Sequence, residues 1–258
     1  MRKRVVAFII ALAVFCVSGY FLVMNYYHEF TSNRVLDNIR QEAVVAMPVV
    51  VVDNAEYPEE DVFSTIFVDF DILQDINREI IAWIHIPNTP VSYPVLFGTD
   101  NQFYLNHTFD RRYNILGSIF IDFRNDPDFE DRNTIIYGHD TRNEAKFGSL
   151  KRFLEQAHAD ANRYIHIIRP GEVFVYEIFA VYETLATSDT YSISFASEEM
   201  FKKYINEMAV QTVVEAGAPP TVENIITLST CVPNRRDMRL VIQAKLVDIH
   251  EIANIVVE

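Results

Sequence analysis

The pattern of apolar and polar positions changes character twice along the chain. Val5 to Met24 is an unbroken run of 20 positions without a charge. At 1.5 Å per residue a helix of that length crosses a hydrocarbon core of about 30 Å. The next stretch, from Tyr26 to about Glu60, is mixed. Within it Thr31 to Glu42 suits a short helix capped by Thr31 or Ser32, and Pro48 and the acidic, turn-prone run Asn54–Asp61 break it. From about Val62 onward, short runs rich in β-branched and aromatic residues alternate with turns, the texture of strands. The runs are Ile80–Ile86, Val91–Leu96, Ser118–Asp122, Thr134–Tyr137, Tyr164–Ile168, Gly171–Glu183, Asn224–Thr230, Leu240–Val247 and a last one at Ile252–Val257. Two segments read as helices, Asp71–Arg78 and Ser197–Val214, the second opened by Ser197 and acidic residues as a helix N-terminus should be. About eight strands at short spacing, with a few helices inserted, predict a mainly β fold closed or nearly closed into a barrel.

The apolar run sets the predicted topology. Arg2, Lys3 and Arg4 precede it, and basic residues stay on the cytoplasmic side. Residues 1–4 are therefore expected in the cytoplasm, 5–24 across the cell membrane as a single-pass anchor, 25–61 outside as a stalk with an N-terminal helix, and 62–258 as the extracellular domain. A cleaved signal peptide would have a shorter apolar region, roughly 7–15 residues, ending in a small-x-small site. Here Tyr20, Phe21, Leu22, Met24 and Tyr26 crowd the exit instead, which favours an uncleaved anchor.

Charge and composition mainly exclude. The net charge of −14 comes with no cluster of Lys and Arg, which argues against nucleic acid as a partner. Seven glycines leave no glycine-rich phosphate loop. Cysteine usage is more informative. Of the two cysteines, Cys16 lies in the apolar run and Cys231 far outside it. The external part thus holds one unpaired thiol, which is either a small buried hydrophobe or a reactive group.

The surroundings of Cys231 favour reactivity. It follows the apolar run Ile226-Thr-Leu-Ser-Thr and precedes a polar loop with Arg235, Arg236 and Arg239, and cations favour a thiolate. A hairpin of Ile225–Cys231 with Arg239–Val247 brings Cys231 beside Arg239. Of the seven histidines, His139 stands out, because it follows Thr134–Tyr137 through Gly138 at a strand end. Sulfur, imidazole and a fixed cation together support acyl transfer: attack on a carbonyl, protonation of the leaving amine, and stabilisation of the oxyanion. A serine nucleophile at Ser229 lacks the G-x-S-x-G context, and no ligand spacing suggests zinc.

These segments resemble the sortases. Thr227-Leu-Ser-Thr-Cys231, followed by Arg239-Leu-Val-Ile-Gln-Ala-Lys-Leu, is similar to their catalytic end, and Asn133-Thr-Ile-Ile-Tyr-Gly-His139 to their histidine motif. Trp83–Thr89 with Tyr93-Pro-Val, Asp100–Leu105, Gly117–Asp122 and the helix near Ser197–Val214 resemble the class B branch. The likeness runs from about Phe70 to Val247. It implies an eight-stranded barrel behind an N-terminal anchor, and a transpeptidase that cleaves a C-terminal sorting motif of surface proteins and passes the acyl group to an amine of peptidoglycan or of a pilin. It implies Cys231 as nucleophile, His139 as acid/base and Arg239 at the oxyanion, and it puts Asn101, Leu105, Thr187, Tyr191 and Ser229 along the substrate groove. Class B members often carry an acidic residue directly after the nucleophile, where this chain has Val232. No acidic cluster of the calcium-stimulated kind and no Asp-Pro-aromatic lid is evident, so neither a metal nor a cofactor is expected. Two other functions fit the residues: a cysteine peptidase on the same barrel that only hydrolyses, and a non-catalytic surface-binding β-domain with an inert cysteine.

Overall fold

The structure, a computed structural model, describes residues 2–46, 65–141, 143–221, 223–233 and 235–251. Its first element is a single helix, α1 (Arg2–Ala43), 42 residues long. The helix expected from Thr31 is the outer end of this one, since Asn25–Phe30 contains neither Gly nor Pro to stop it. Its two halves differ. The apolar run is exposed nearly all round, whereas His28, Ser32, Leu36, Ile39 and Ala43 form one buried stripe, at the three-to-four-residue spacing of a helix face packed on a core. α1 leads into β1 (Val44–Ala46), which pairs antiparallel with β2 (Ile66–Val68).

A short helix, α2 (Phe70–Ile76), follows, capped by the Asp69 carboxylate accepting from the Asp71 and Ile72 amides. The barrel strands come next: β3 (Ile80–His85), β4 (Ser92–Phe97), β5 (Ile119–Ile121) and β6 (Asn133–Tyr137). After α3 (Gln156–Ala161) come β7 (Tyr164–Arg169) and β8 (Glu172–Leu185). α4 (Glu198–Ala209) precedes β9 (Ile225–Val232) and β10 (Arg235–Glu251). Eight strands close in the order β10-β8-β7-β3-β4-β5-β6-β9. Most neighbours are antiparallel, but β4 with β5 and β6 with β9 run parallel. The expected final strand at Ile252–Val257 lies outside the described residues.

Large apolar side chains fill the barrel, Trp83, Phe120, Phe147 and Phe153 among them. A second apolar cluster forms where α4 lays Phe201, Tyr204, Ile205 and Met208 against Phe179, Tyr182 and Val241. Between the two layers runs a buried polar chain. Thr227 donates to Asn133 Oδ1 (2.6 Å), and Asn133 Nδ2 donates to the carbonyls of Thr190 (3.1 Å) and Ser192 (2.9 Å). Gln243 donates to the Tyr204 hydroxyl (2.8 Å), which itself donates to the Thr190 carbonyl (2.9 Å). Buried polar groups hold only when paired, so this network fixes the short turn Asp189–Tyr191 onto β6, β9 and β10.

His85 and His166 face each other across β3 and β7, with ring centroids 6.2 Å apart. Burial lowers both to about 4, with Arg40 adding to the effect at His85, and His85 and His250 adding to it at His166. The folded chain keeps both rings neutral where an unfolded chain, with histidine near 6.5, takes up protons. Stability is therefore expected to fall as pH drops from about 6.5 towards 4. Urea midpoints at pH 7 and pH 5 should differ in that sense, and His85→Gln with His166→Gln should flatten the dependence.

Candidate active site

Strand register builds the site. Cys231 is exposed at the end of β9, after a run of buried residues that ends at Thr230. On one side Arg239 of β10 lies directly opposite it, and opposed residues of an antiparallel pair share a face. On the other side β6 runs parallel, with Tyr137 level with Ser229 and the Gly138 amide donating to the Ser229 carbonyl at 3.2 Å. Two residues further along each strand come His139 and Cys231. The strand that carries the sulfur thus lies between the strand that leads to the imidazole and the strand that carries the guanidinium.

Each group has its own support. His139 Nε2 is 2.6 Å from the Leu105 carbonyl oxygen. A carbonyl can only accept, so Nε2 carries the proton, and in the neutral ring Nδ1 is left as the acceptor. Gly138 admits no side chain, since a Cβ there would come within 2.4 Å of Ile119 and 2.6 Å of Phe147. Arg239 follows a register shift in β10 and turns its Nη1 onto the carbonyls of Arg236 (2.9 Å) and Met238 (2.8 Å). Among the described residues no carboxylate pairs with it, so its charge is fixed in place without being neutralised.

The expected groove residues separate into those tied to this centre and those around it. The hydroxyls of Ser229 and Tyr191 are 2.9 Å apart, and the Tyr191 ring stacks on Tyr137 at 6.3 Å. Burial raises the Tyr191 phenol, the bond to Ser229 and the charge of Arg239 oppose the rise, and Cys231 adds to it. Tyr191 therefore feels both groups. Leu105 contributes its carbonyl as well as a part-exposed side chain. Asn101 accepts the Phe123 amide at 3.0 Å. Thr187 stands exposed in the turn after β8, outside this hydrogen-bonded group.

Sequence reasoning missed a supporting pair. Arg124 grips Asp122 through Nε (2.9 Å) and Nη2 (2.8 Å), Tyr137 donates to the same carboxylate (3.0 Å), and Arg124 reaches the Tyr191 carbonyl at 3.4 Å. Burial pushes the Asp122 carboxyl up, but Arg124 and Tyr137 outweigh it and leave it below the usual range. An aspartate and an arginine two residues apart were the available signal. Among the described residues, no three His, Cys, Asp or Glu side chains converge as metal ligands would.

A barrel that exposes a thiol on the strand between those leading to an imidazole and a guanidinium holds the groups that cysteine acyl transfer needs. The family model described as "Sortase domain" matches residues 84–247, and the chain belongs to that family. Its relatives place it in the class B branch of these cysteine transpeptidases. Sortase B of Listeria monocytogenes is 32% identical over 246 residues, 93% of this chain and 94% of the relative. The structure of Clostridium perfringens sortase B is 32% identical with a TM-score of 0.66, over 70% of this chain and 100% of that one. That of B. anthracis sortase B in complex with AAEK1 gives 0.72 at 28% identity, over 86% and 99%.

Proposed function

We propose that Cys231 is the nucleophile of this transpeptidase, His139 its acid/base and Arg239 the cation at the oxyanion. The observation that carries the reading is the position of Cys231, exposed on β9 and opposite an Arg239 whose charge no described carboxylate neutralises. The thiol gives its proton to Nδ1 of His139, and the sulfur attacks the scissile carbonyl. The oxyanion meets the guanidinium, and the imidazolium returns the proton to the leaving amine as the thioester forms. A second amine then attacks, and its proton passes through His139 to the departing sulfur, which restores the thiol. Asn101, Leu105, Thr187, Tyr191 and Ser229 line the path of the sorting motif.

The proposed substrates are surface proteins with a C-terminal sorting motif, and the acceptor is an amine of a peptidoglycan precursor or of a pilin. Residues 5–24 serve as the anchor, with 1–4 on the cytoplasmic side, 25–61 as the connecting segment and 62–258 as the extracellular catalytic domain. The apolar half of α1, exposed nearly all round, supports the anchor. Incubating the chain with a peptide library, with and without triglycine, tests the function. An amide adduct that forms only with the amine is expected, and hydrolysis products alone in both reactions would favour the peptidase reading.

A further inference from the structure

The barrel touches α1 at two levels, and the lower one lies just beyond the apolar run. There Asn114 Nδ2 donates to the His28 carbonyl at 2.8 Å, and the Tyr113 ring meets the His28 ring edge-on at 5.9 Å. Beside it, Asn143 of the loop that follows His139 donates to Glu29 at 2.6 Å. The upper level is at Arg40, whose Nη2 donates to the Ser92 carbonyl at 2.6 Å at the start of β4. Ser92 lies at the same end of the barrel as His139, because β4 runs parallel to β5 and β5 antiparallel to β6. Both levels of α1 therefore meet the barrel at the end that holds His139 and Cys231, the lower one next to the apolar run.

Because α1 is unbroken, height above a bilayer can be counted along it. Met24 to His28 is four residues, a rise of about 6 Å. The headgroup layer on each side is about 5–8 Å thick, from a total of about 40–45 Å around a core of about 30 Å. The contact at His28 thus falls inside that layer. The side chains there suit it: Tyr113 and Ile115 are exposed on the loop, and Tyr26, Tyr27 and Phe30 on the helix. Aromatic rings with a polar edge prefer the interface. The loop's arginines enter with their charges compensated, Arg111 by Glu79 and Arg112 by Asp110.

We propose that the loop from His107 to Leu116 is a membrane-docking surface, and that its partner is the outer headgroup layer of the bilayer that α1 crosses. The proposal rests on the anchor reading above. The cysteine end of the barrel then lies beside the membrane surface, with the carbonyl that holds His139 at the root of the docked loop. Such a cleft favours polypeptides still tethered in the same bilayer.

The chain's one tryptophan, Trp83, is fully buried, so an introduced tryptophan reports its own surroundings. Full-length protein would be reconstituted in phosphatidylcholine–phosphatidylglycerol vesicles whose lipids carry bromine either near the headgroup or deep in the chains. Phe21→Trp should be quenched by the deep bromines, which checks the anchor. Tyr113→Trp should lose most of its added emission to the shallow bromines. Ile249→Trp, exposed on β10 ten residues beyond Arg239, should keep its emission. Quenching at 21 without quenching at 113 would overturn the docking surface and leave the anchor standing. Equal quenching at 113 and 249 would overturn the orientation, and no quenching at 21 would remove the anchor reading and this inference with it.

Discussion

Cys231→Ala is expected to abolish both cleavage and transfer while leaving the fold intact. The two halves of that result have separate physical grounds. Nothing else at this centre can form the acyl intermediate. Ser229, the nearest hydroxyl on the same face of β9, is buried and bonded to Tyr191, and Thr230 is buried on the other face. Removing a nucleophile from a covalent enzyme costs about 10⁶ in rate. Stability should barely move, within about 0.5 kcal/mol, because an exposed side chain leaves no cavity behind. Mass spectrometry of the amine reaction and a thermal melt together read the outcome. A Cys231→Ala chain that still forms the adduct would end the assignment. Ser229→Ala should keep the chemistry and weaken substrate use, since it loses only one hydrogen bond at Tyr191.

How much of this was legible in the sequence depended on how local the cause was. The strand that ends at Cys231 shows as an apolar run stopped by Pro233 and three arginines, and β9 begins at Ile225, where the expected hairpin strand does. The hairpin itself follows from adjacency, so the Cys231–Arg239 pairing could be anticipated. His139 could be singled out as a strand-end residue, but its place beside Cys231 depends on a parallel pairing of β6 with β9 across about 90 intervening residues, as in Tyr137 with Ser229. No spacing rule encodes that pairing, and only the family likeness made it expected. The Leu105 carbonyl was out of reach for a different reason. A backbone acceptor has no residue identity, so any residue at 105 would provide it. The length of α1 is not legible in the polarity pattern, because Asn25 to Phe30 changes from apolar to polar without a helix breaker and the backbone runs on through the change.

Gly117 shows how such a backbone feature still leaves a testable mark. Its φ is +52°, and a Cβ there would stand 2.5 Å from the Tyr104 carbonyl oxygen and 2.7 Å from that of Leu105. Gly117→Ala must therefore displace the carbonyl that orients His139 Nε2, besides straining the backbone by about 1–2 kcal/mol. A shift of about 1 Å in a catalytic group can cost about 10²-fold, so kcat should fall by that order, with KM much less affected. The natural control is Gly171→Ala. That residue also has a positive φ, +83°, but nothing lies within 4 Å of its Cβ position, and it sits in the β7–β8 turn at the far end of the barrel. Gly117→Ala should lose more stability in a urea melt than Gly171→Ala, which bears the backbone strain alone. Only Gly117→Ala should lose turnover when both are assayed well below their midpoints. Equal turnover in the two variants would mean that the Leu105 carbonyl does not position the imidazole.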